Sequence, residues 1–179
     1  WQPLWNTASV HWDTAALRKC IRAGVPDGAR GRLWIGLVDR YAATAADEMY
    51  VDLLLKPCIY RHAIKIDLGR TFPGNDLFAD PKGGGQKSLY NCLAAYSNLD
   101  EEVGYCQGMN FMAGMFLHEL NEEYSFQAFS ACLQEHGLRQ QYMPDMRQLQ
   151  VQLYQFSRLL HDTCPQVFDH LAACGIEPF

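Results

Sequence analysis

Residues 145–163, DMRQLQVQLYQFSRLLHDT, set the tightest limit on the fold. Met146, Leu149, Leu153, Phe156 and Leu160 recur at three- and four-residue steps, with polar residues between them. That spacing predicts an amphipathic helix. No stretch of useful length alternates apolar and polar residues as a half-buried strand would. The chain therefore reads as all-α, a multi-helix fold with no significant sheet. No internal repeat of fixed period is visible, which argues against a regular solenoid.

Cap and turn residues divide the rest into helices. Asp13 is placed to cap TAALRKCIRAG, with Gly24 as its stop and VPDG as the turn. Asp27 is placed to cap GARGRLWIGLVDRYAA. A third helix is expected over 46–58, ended by Pro57, and HAIKIDLGR makes a short fourth. TFPGNDLFADPKGGG then reads as a long Gly- and Pro-rich loop, of a length that often marks function or mobility. QKSLYNCLAAYSNL is the fifth helix, DEEVGYCQ a connection, and GMNFMAGMFLHEL and EEYSFQAFSACLQEHG the next two. TCPQVFDHLAACG closes the chain, with Thr163 as its expected cap and Pro165 in its first turn.

The 179 residues suffice for one domain with a core. Fifteen basic against twenty acidic side chains leave a net charge of −5. A surface built to coat nucleic acid or anionic lipid carries a basic excess instead. The local run Arg18, Lys19, Arg22, Arg30 and Arg32 reads as solvated helix faces. No apolar run approaches the ~20 residues that span a bilayer. The seven cysteines, Cys20, Cys58, Cys92, Cys106, Cys132, Cys164 and Cys174, include no CxxC pair and sit singly among apolar residues. That fits reduced, mostly buried thiols in a cytosolic protein. The start at Trp1 and the end at GIEPF read as the edges of a piece of something longer.

Two stretches look like active sites and are discounted. GGGQKS ends like a phosphate-binding loop, but Gln86 stands where the pattern needs its second glycine, and no strand precedes it. A flexible connection is the better reading. Cys106 lies in a Gly-flanked turn, yet nothing local lowers its pKa or orients a base. His11, His62, His118, His136, His161 and His170 show no metal-ligand spacing.

Two others carry more weight. Ile64, Asp67 and Arg70 are spaced i, i+3 and i+6. On a helix the Asp67 carboxylate can hold the Arg70 guanidinium where the element gives way to a TFPGN turn. As a surface ion pair that is worth about 0–1 kcal/mol. Gln107 sits between Gly104 and Gly108, in a turn that lets backbone approach a partner. Its ordinary reading is a turn-capping amide. An arginine and a glutamine presented on loops have a joint use in GTP hydrolysis. The glutamine aligns the attacking water. An arginine supplied in trans stabilises the transferring phosphoryl group and is worth about 10³–10⁵ in rate. That is roughly 4–7 kcal/mol, well beyond a surface ion pair. Spacing alone leaves both readings open.

Three ordered motifs carry a family resemblance. They are Arg30-Gly31-Arg32-Leu33-Trp34 in GVPDGARGRLW, then Ile64, Asp67 and Arg70 in IKIDLGRTFP, then Tyr105, Cys106 and Gln107 in VGYCQGMNF. With them, and with SLYNCLAAYSNLDEEVGYCQG, LRQQYMPDM, LYQFSRLLHD and GIEPF, the chain resembles the TBC domain family, GTPase-activating proteins for Rab GTPases. The similarity runs from about residue 17 to the end. Its wording is closest to the branch containing the insulin-regulated Rab GTPase-activating proteins.

The resemblance implies an all-helical domain that works with two fingers. Arg70 would be the arginine finger. Gln107 would be the glutamine finger, taking over in trans the water-orienting task of the GTPase's own glutamine. Backbone around Tyr105 and Cys106, with Gly108 beside it, would engage that displaced glutamine, and Asp67 would steady Arg70. Ile64, Arg30 and Trp34 would be structural, Trp34 in the core and Arg30 in a buried or groove-side polar network. GTP and Mg²⁺ would belong to the Rab, so no cofactor or metal is expected in this chain. The partner would be a GTP-bound Rab. The chain would be a monomer in the cytoplasm, peripheral to endomembranes through that Rab, with no nucleic acid and no membrane insertion. TBC domains continue past GIEP into further helices, so 1–179 is expected to be the N-terminal portion of a single domain. The alternative is a catalytically weak TBC domain that holds a Rab as a scaffold. Retention of both Arg70 and Gln107 argues against it.

Overall fold

The computed structural model describes residues 14–26, 28–38 and 46–176. Among them are ten α-helices, one 3-10 turn and no strand, as the all-α reading expects. The helices are α1 (Thr14–Arg22), α2 (Arg30–Val38), α3 (Ala46–Leu55), α4 (Arg61–Leu68) and α5 (Asp76–Ala79). They continue with α6 (Gly84–Leu99), α7 (Met109–Glu119), α8 (Glu122–Gln134), the 3-10 turn Leu138–Gln141, α9 (Arg147–Thr163) and α10 (Pro165–Ala173). The expected caps Asp13 and Asp27, and the chain beyond Ile176, lie outside the described residues.

The fold is organised around α6, which packs against α3, α4, α5, α7 and α8. Leu89, Cys92, Leu93, Ala94, Ala95 and Tyr96 are all buried. A helix covered on nearly every face is a core helix, and its small residues let neighbours approach. Phe116 of α7 and Phe126 and Phe129 of α8 complete the centre, with the Tyr96 and Phe129 rings edge to face at 5.0 Å.

Several boundaries follow from local chemistry. Gly24 ends α1 at φ 104°. The third helix stops at Leu55, just short of Pro57. Asn121 caps α8 by accepting the Tyr124 N–H at 3.0 Å, and Glu122 and Glu123 fill its first turn, where negative charge is favoured. The five basic residues of the 18–32 run are exposed, as read.

Three expectations are corrected. The stretch from Thr71 to Gly85 is not a free loop. Asn75 caps α5 by accepting the Leu77 N–H at 2.9 Å, and α6 begins at Gly84. Gln86 is buried and donates its amide to the Phe78 carbonyl at 2.8 Å. A Cβ on Gly85 would overlap the Leu77 carbonyl, so GGGQKS is a packed helix start and not a flexible connection. Thr163 does not cap α10. Its hydroxyl donates back to the Leu159 carbonyl at 2.7 Å inside α9, and Cys164 takes the cap position. The cysteines are free but not mostly buried: Cys92 is buried, Cys164 and Cys174 are exposed, and the rest lie between.

The 145–163 helix forms as its stripe predicts, yet no residue of α9 or α10 is fully buried. The two helices pack on each other and α9 on the 3-10 turn, with His161 edge to face on Phe168 at 5.1 Å. That 3-10 turn is tied to the end of α6 by Arg139. Its Nε and Nη2 donate to Asp100 at 2.6 and 2.8 Å, and Nη2 also reaches Glu102 at 2.6 Å. Bidentate pairing of this kind is the stronger sort of ion pair. It holds the Asp100 carboxyl below the usual carboxylate range.

Two predictions concern this framework. Gly85→Ala should destabilise the chain by about 1–3 kcal/mol or more through overpacking. Gly84→Ala, with nothing within 4 Å of its added carbon, should leave stability unchanged or raise it by about 0.5–1 kcal/mol. Denaturant melts of the two variants check this. Arg139→Ala should cost about 3 kcal/mol at pH 7, at the low end for a broken buried pair, because Tyr96 and Val103 still donate to Asp100. The folded value of Asp100 is depressed, so its contribution is complete above the unfolded carboxylate value near ~4 and fades as pH falls through the folded value. Melts against pH should show the difference between Arg139→Ala and the unsubstituted chain shrinking only below about pH 4.

Candidate functional site

Two loops that are distant in sequence meet at one buried carboxylate. Helix α4 buries Ile64 and Asp67 on the same face and ends at Leu68. The chain then turns, with the Arg70 N–H bonded to the Asp67 carbonyl at 3.2 Å. Asp67 is 4% exposed, so its charge needs partners. It has two. Arg70 Nη2 lies 2.5 Å from Oδ1, and the Tyr105 hydroxyl donates to Oδ2 at 2.6 Å. The Arg70 side chain is nonetheless 46% exposed. The guanidinium is thus anchored from behind and open in front. Burial first, and Asp67 second, push the Tyr105 phenol above its ordinary range, so it remains a neutral donor.

Tyr105 starts the turn that carries Gln107. Gly104 enters it at φ 63°, with the Tyr60 ring where a Cβ would stand. Only glycine satisfies both the left-handed backbone and the close approach of that ring. Gly108 leaves the turn at φ 106° as the residue before α7. Gln107 between them is exposed, and its side chain makes no hydrogen bond to a described residue. It is therefore not the turn-capping amide of the ordinary reading. Cys106 is half-buried, and burial together with Asp67 raises its thiol pKa. A raised thiol is a poor nucleophile at neutral pH, which counts against a cysteine hydrolase. Among the described residues, no group of three or more His, Cys, Asp or Glu is arranged to hold a metal.

A second connection joins the loops. The Thr71 hydroxyl donates to the Asp67 carbonyl at 2.7 Å, Asn110 Nδ2 donates to Thr71 Oγ1 at 2.7 Å, and the Gly108 N–H donates to Asn110 Oδ1 at 3.0 Å. Sequence reasoning passed over Thr71 and Asn110, both fully buried. A signal for Asn110 exists: it is the one polar side chain inside MNFMAGMFL, where a buried amide must find partners. Directly after Thr71, Phe72 adopts φ 45°, a left-handed conformation that costs a bulky residue on the order of 1–3 kcal/mol. Its ring rests on Phe111 at 5.5 Å and Phe78 at 6.2 Å.

The remaining motif residues lie beside this junction. Trp34 is partly buried against the core, edge to face on Phe116 at 5.0 Å. Arg30 is not buried. Its side chain is 53% exposed and lies 3.9 Å from Glu119. Both line a groove of about 560 Å³ that also touches Phe72, Phe78 and Met115. Arg30 is therefore groove-side, and the groove reaches the Arg70 loop through Phe72.

A model of the Rab-GTPase-TBC domain matches residues 27–179. The chain is 41% identical to mouse TBC1 domain family member 1 over 189 residues, covering 99% of this chain and 15% of that protein. It is 41% identical to mouse TBC1 domain family member 4, covering 94% of this chain and 14% of that protein. The crystal structure of a Chlamydomonas flagellar RabGAP TBC domain superposes with a TM-score of 0.75 at 24% identity, covering 97% of this chain and 58% of that one. This last likeness shows the fold. The chain spans about a seventh of the length of the two mouse relatives. On the family match and on these identities, the chain belongs to the Rab-GTPase-TBC domain family.

Proposed function

We propose that this chain accelerates GTP hydrolysis by a Rab GTPase, supplying Arg70 and Gln107 in trans. One observation carries the reading. The buried Asp67 carboxylate ties Arg70 to the turn that holds Gln107 and leaves both side chains open to solvent. A cation and an amide held in register but unspent inside the chain are available to another protein's nucleotide site.

In this reading Arg70 reaches the transferring phosphoryl group and stabilises its charge. Asp67 has already restricted the guanidinium, so less freedom is lost when the transition state forms. Gln107 aligns the attacking water. Backbone at Tyr105 and Cys106, next to the open turn at Gly108, receives the glutamine that the GTPase no longer uses. GTP and Mg²⁺ stay with the Rab. The partner is the GTP-bound form. The chain works as a monomer from the cytoplasm and meets endomembranes through that Rab. No described helix is long and apolar enough to cross a membrane.

Single-turnover phosphate release from a panel of GTP-loaded Rabs tests the proposal. One or a few Rabs should be stimulated. Arg70→Ala should lower that stimulation by about 10³-fold or more while Rab binding changes far less. Stimulation by Arg70→Ala within about threefold of the unsubstituted chain would falsify the finger assignment. Binding of GTP-loaded Rab without stimulation of any would favour the scaffold instead. Tyr105→Phe leaves one Asp67 oxygen without its donor. It should cost about 1–3 kcal/mol of stability, measured by denaturant melts, and lower stimulation as well.

A further inference from the structure

The geometry points to Thr71 and Asn110 as positioning residues that couple the two fingers through a buried hydrogen-bond relay; this inference rests on the finger reading above. The relay runs in one direction. The Gly108 N–H donates to Asn110 Oδ1, Asn110 Nδ2 donates to Thr71 Oγ1, and the Thr71 hydroxyl donates to the Asp67 carbonyl. The Gly108 N–H and the Thr71 hydroxyl each give their one hydrogen to the next acceptor, and Asn110 gives one of its two amide hydrogens, so the amide cannot flip without leaving the Gly108 N–H unpaired. The amide orientation of Asn110 follows from this, since the Gly108 N–H requires an oxygen.

The relay begins beside Gln107 and ends on the residue whose carboxylate holds Arg70. With the Tyr105–Asp67 bond it closes a ring: Asp67, Tyr105, the turn to Gly108, Asn110, Thr71 and back to Asp67. A ring is stiffer than a single tie because the turn is held at both its ends. Tyr105 holds the entry and Asn110 the exit, so Gln107 has little room to drift relative to Arg70. Thr71 and Asn110 are both fully inaccessible. They can touch no partner, so any effect they have on hydrolysis is indirect. A displacement of about 1 Å at a reacting group can cost ~10²-fold in rate.

Two near-isosteric variants probe the relay. Thr71→Val removes the hydroxyl at constant shape. Asn110→Asp keeps the oxygen for Gly108 but turns a second oxygen toward Thr71, whose only hydrogen is already given to Asp67. Amide hydrogen exchange of the variants against the unsubstituted chain gives the first readout. Gly108 should exchange faster in Thr71→Val, and Thr71→Ser should restore its protection. Unchanged protection of Gly108 in Thr71→Val overturns the inference, whatever the kinetics.

Single-turnover hydrolysis on the most strongly stimulated GTP-loaded Rab gives the second readout. Both variants should lower kcat by about 10²-fold with KM nearly constant, and Thr71→Ser should recover most of the loss. Asn110→Asp should cost little more when added to Gln107→Ala, because residues acting as a unit are not additive. Full activity of Thr71→Val and Asn110→Asp, with Arg70→Ala and Gln107→Ala both impaired, overturns the coupling and leaves the fingers standing. Full activity of Arg70→Ala or Gln107→Ala overturns the finger reading itself.

Discussion

The candidate site depends on one buried carboxylate. Asp67 is enclosed at the end of a short helix, where an unpaired charge would be expensive. Its two oxygens are satisfied by groups at very different distances along the chain, Arg70 three residues on and Tyr105 thirty-eight residues on. The first partner is local and the second is tertiary. Together they make Asp67 a hinge pin between two loops. Neither loop has regular hydrogen bonding of its own at this point, so its conformation comes from what it is tied to.

That pin would be useless on a soft base. α4, which carries Asp67 in its last turn, and α7, which begins just past Gln107, both lean on α6. The enclosed surface of α6 therefore sets the separation of the two loops. Arg139 braces the start of the second loop by gripping Asp100 and Glu102. Phe72 shows that the first loop is held rather than relaxed, since a phenylalanine at φ 45° persists only when its surroundings hold it there. Here the Phe78 and Phe111 rings and the Thr71 relay supply that restraint.

How much was legible in advance differs from residue to residue. The Asp67–Arg70 pair follows from helical spacing alone, because i and i+3 side chains share a face. The Tyr105–Asp67 bond does not, since nothing in VGYCQ says which helix it meets. Thr71 read as turn chemistry and Asn110 as part of an apolar helix; only a hydrogen-bond account of the folded chain pairs them. GGGQKS misled for the opposite reason. Its glycines suggested freedom, but Gly85 is there because the Leu77 carbonyl leaves no space for a side chain. Thr163 had the right chemistry for a cap and spent its hydroxyl one turn back. The stripe on α9 predicted the helix correctly but not its burial: Phe156 remains 54% exposed among the described residues.

From the sequence alone come most of the helices, most of their stops, and the two motifs that carry the candidate site residues. These are determined locally, by backbone propensity, cap hydrogen bonds and three- to four-residue spacing, all of which act within a turn or two. The tertiary structure alone decides that the Arg70 and Gln107 loops share one carboxylate, that a buried threonine and asparagine close the ring between them, and that the arginine and the glutamine face outward. Those outcomes depend on which helices lie against α6 and at what distance. Such contacts join residues tens of positions apart, where no pattern in the intervening sequence records the pairing.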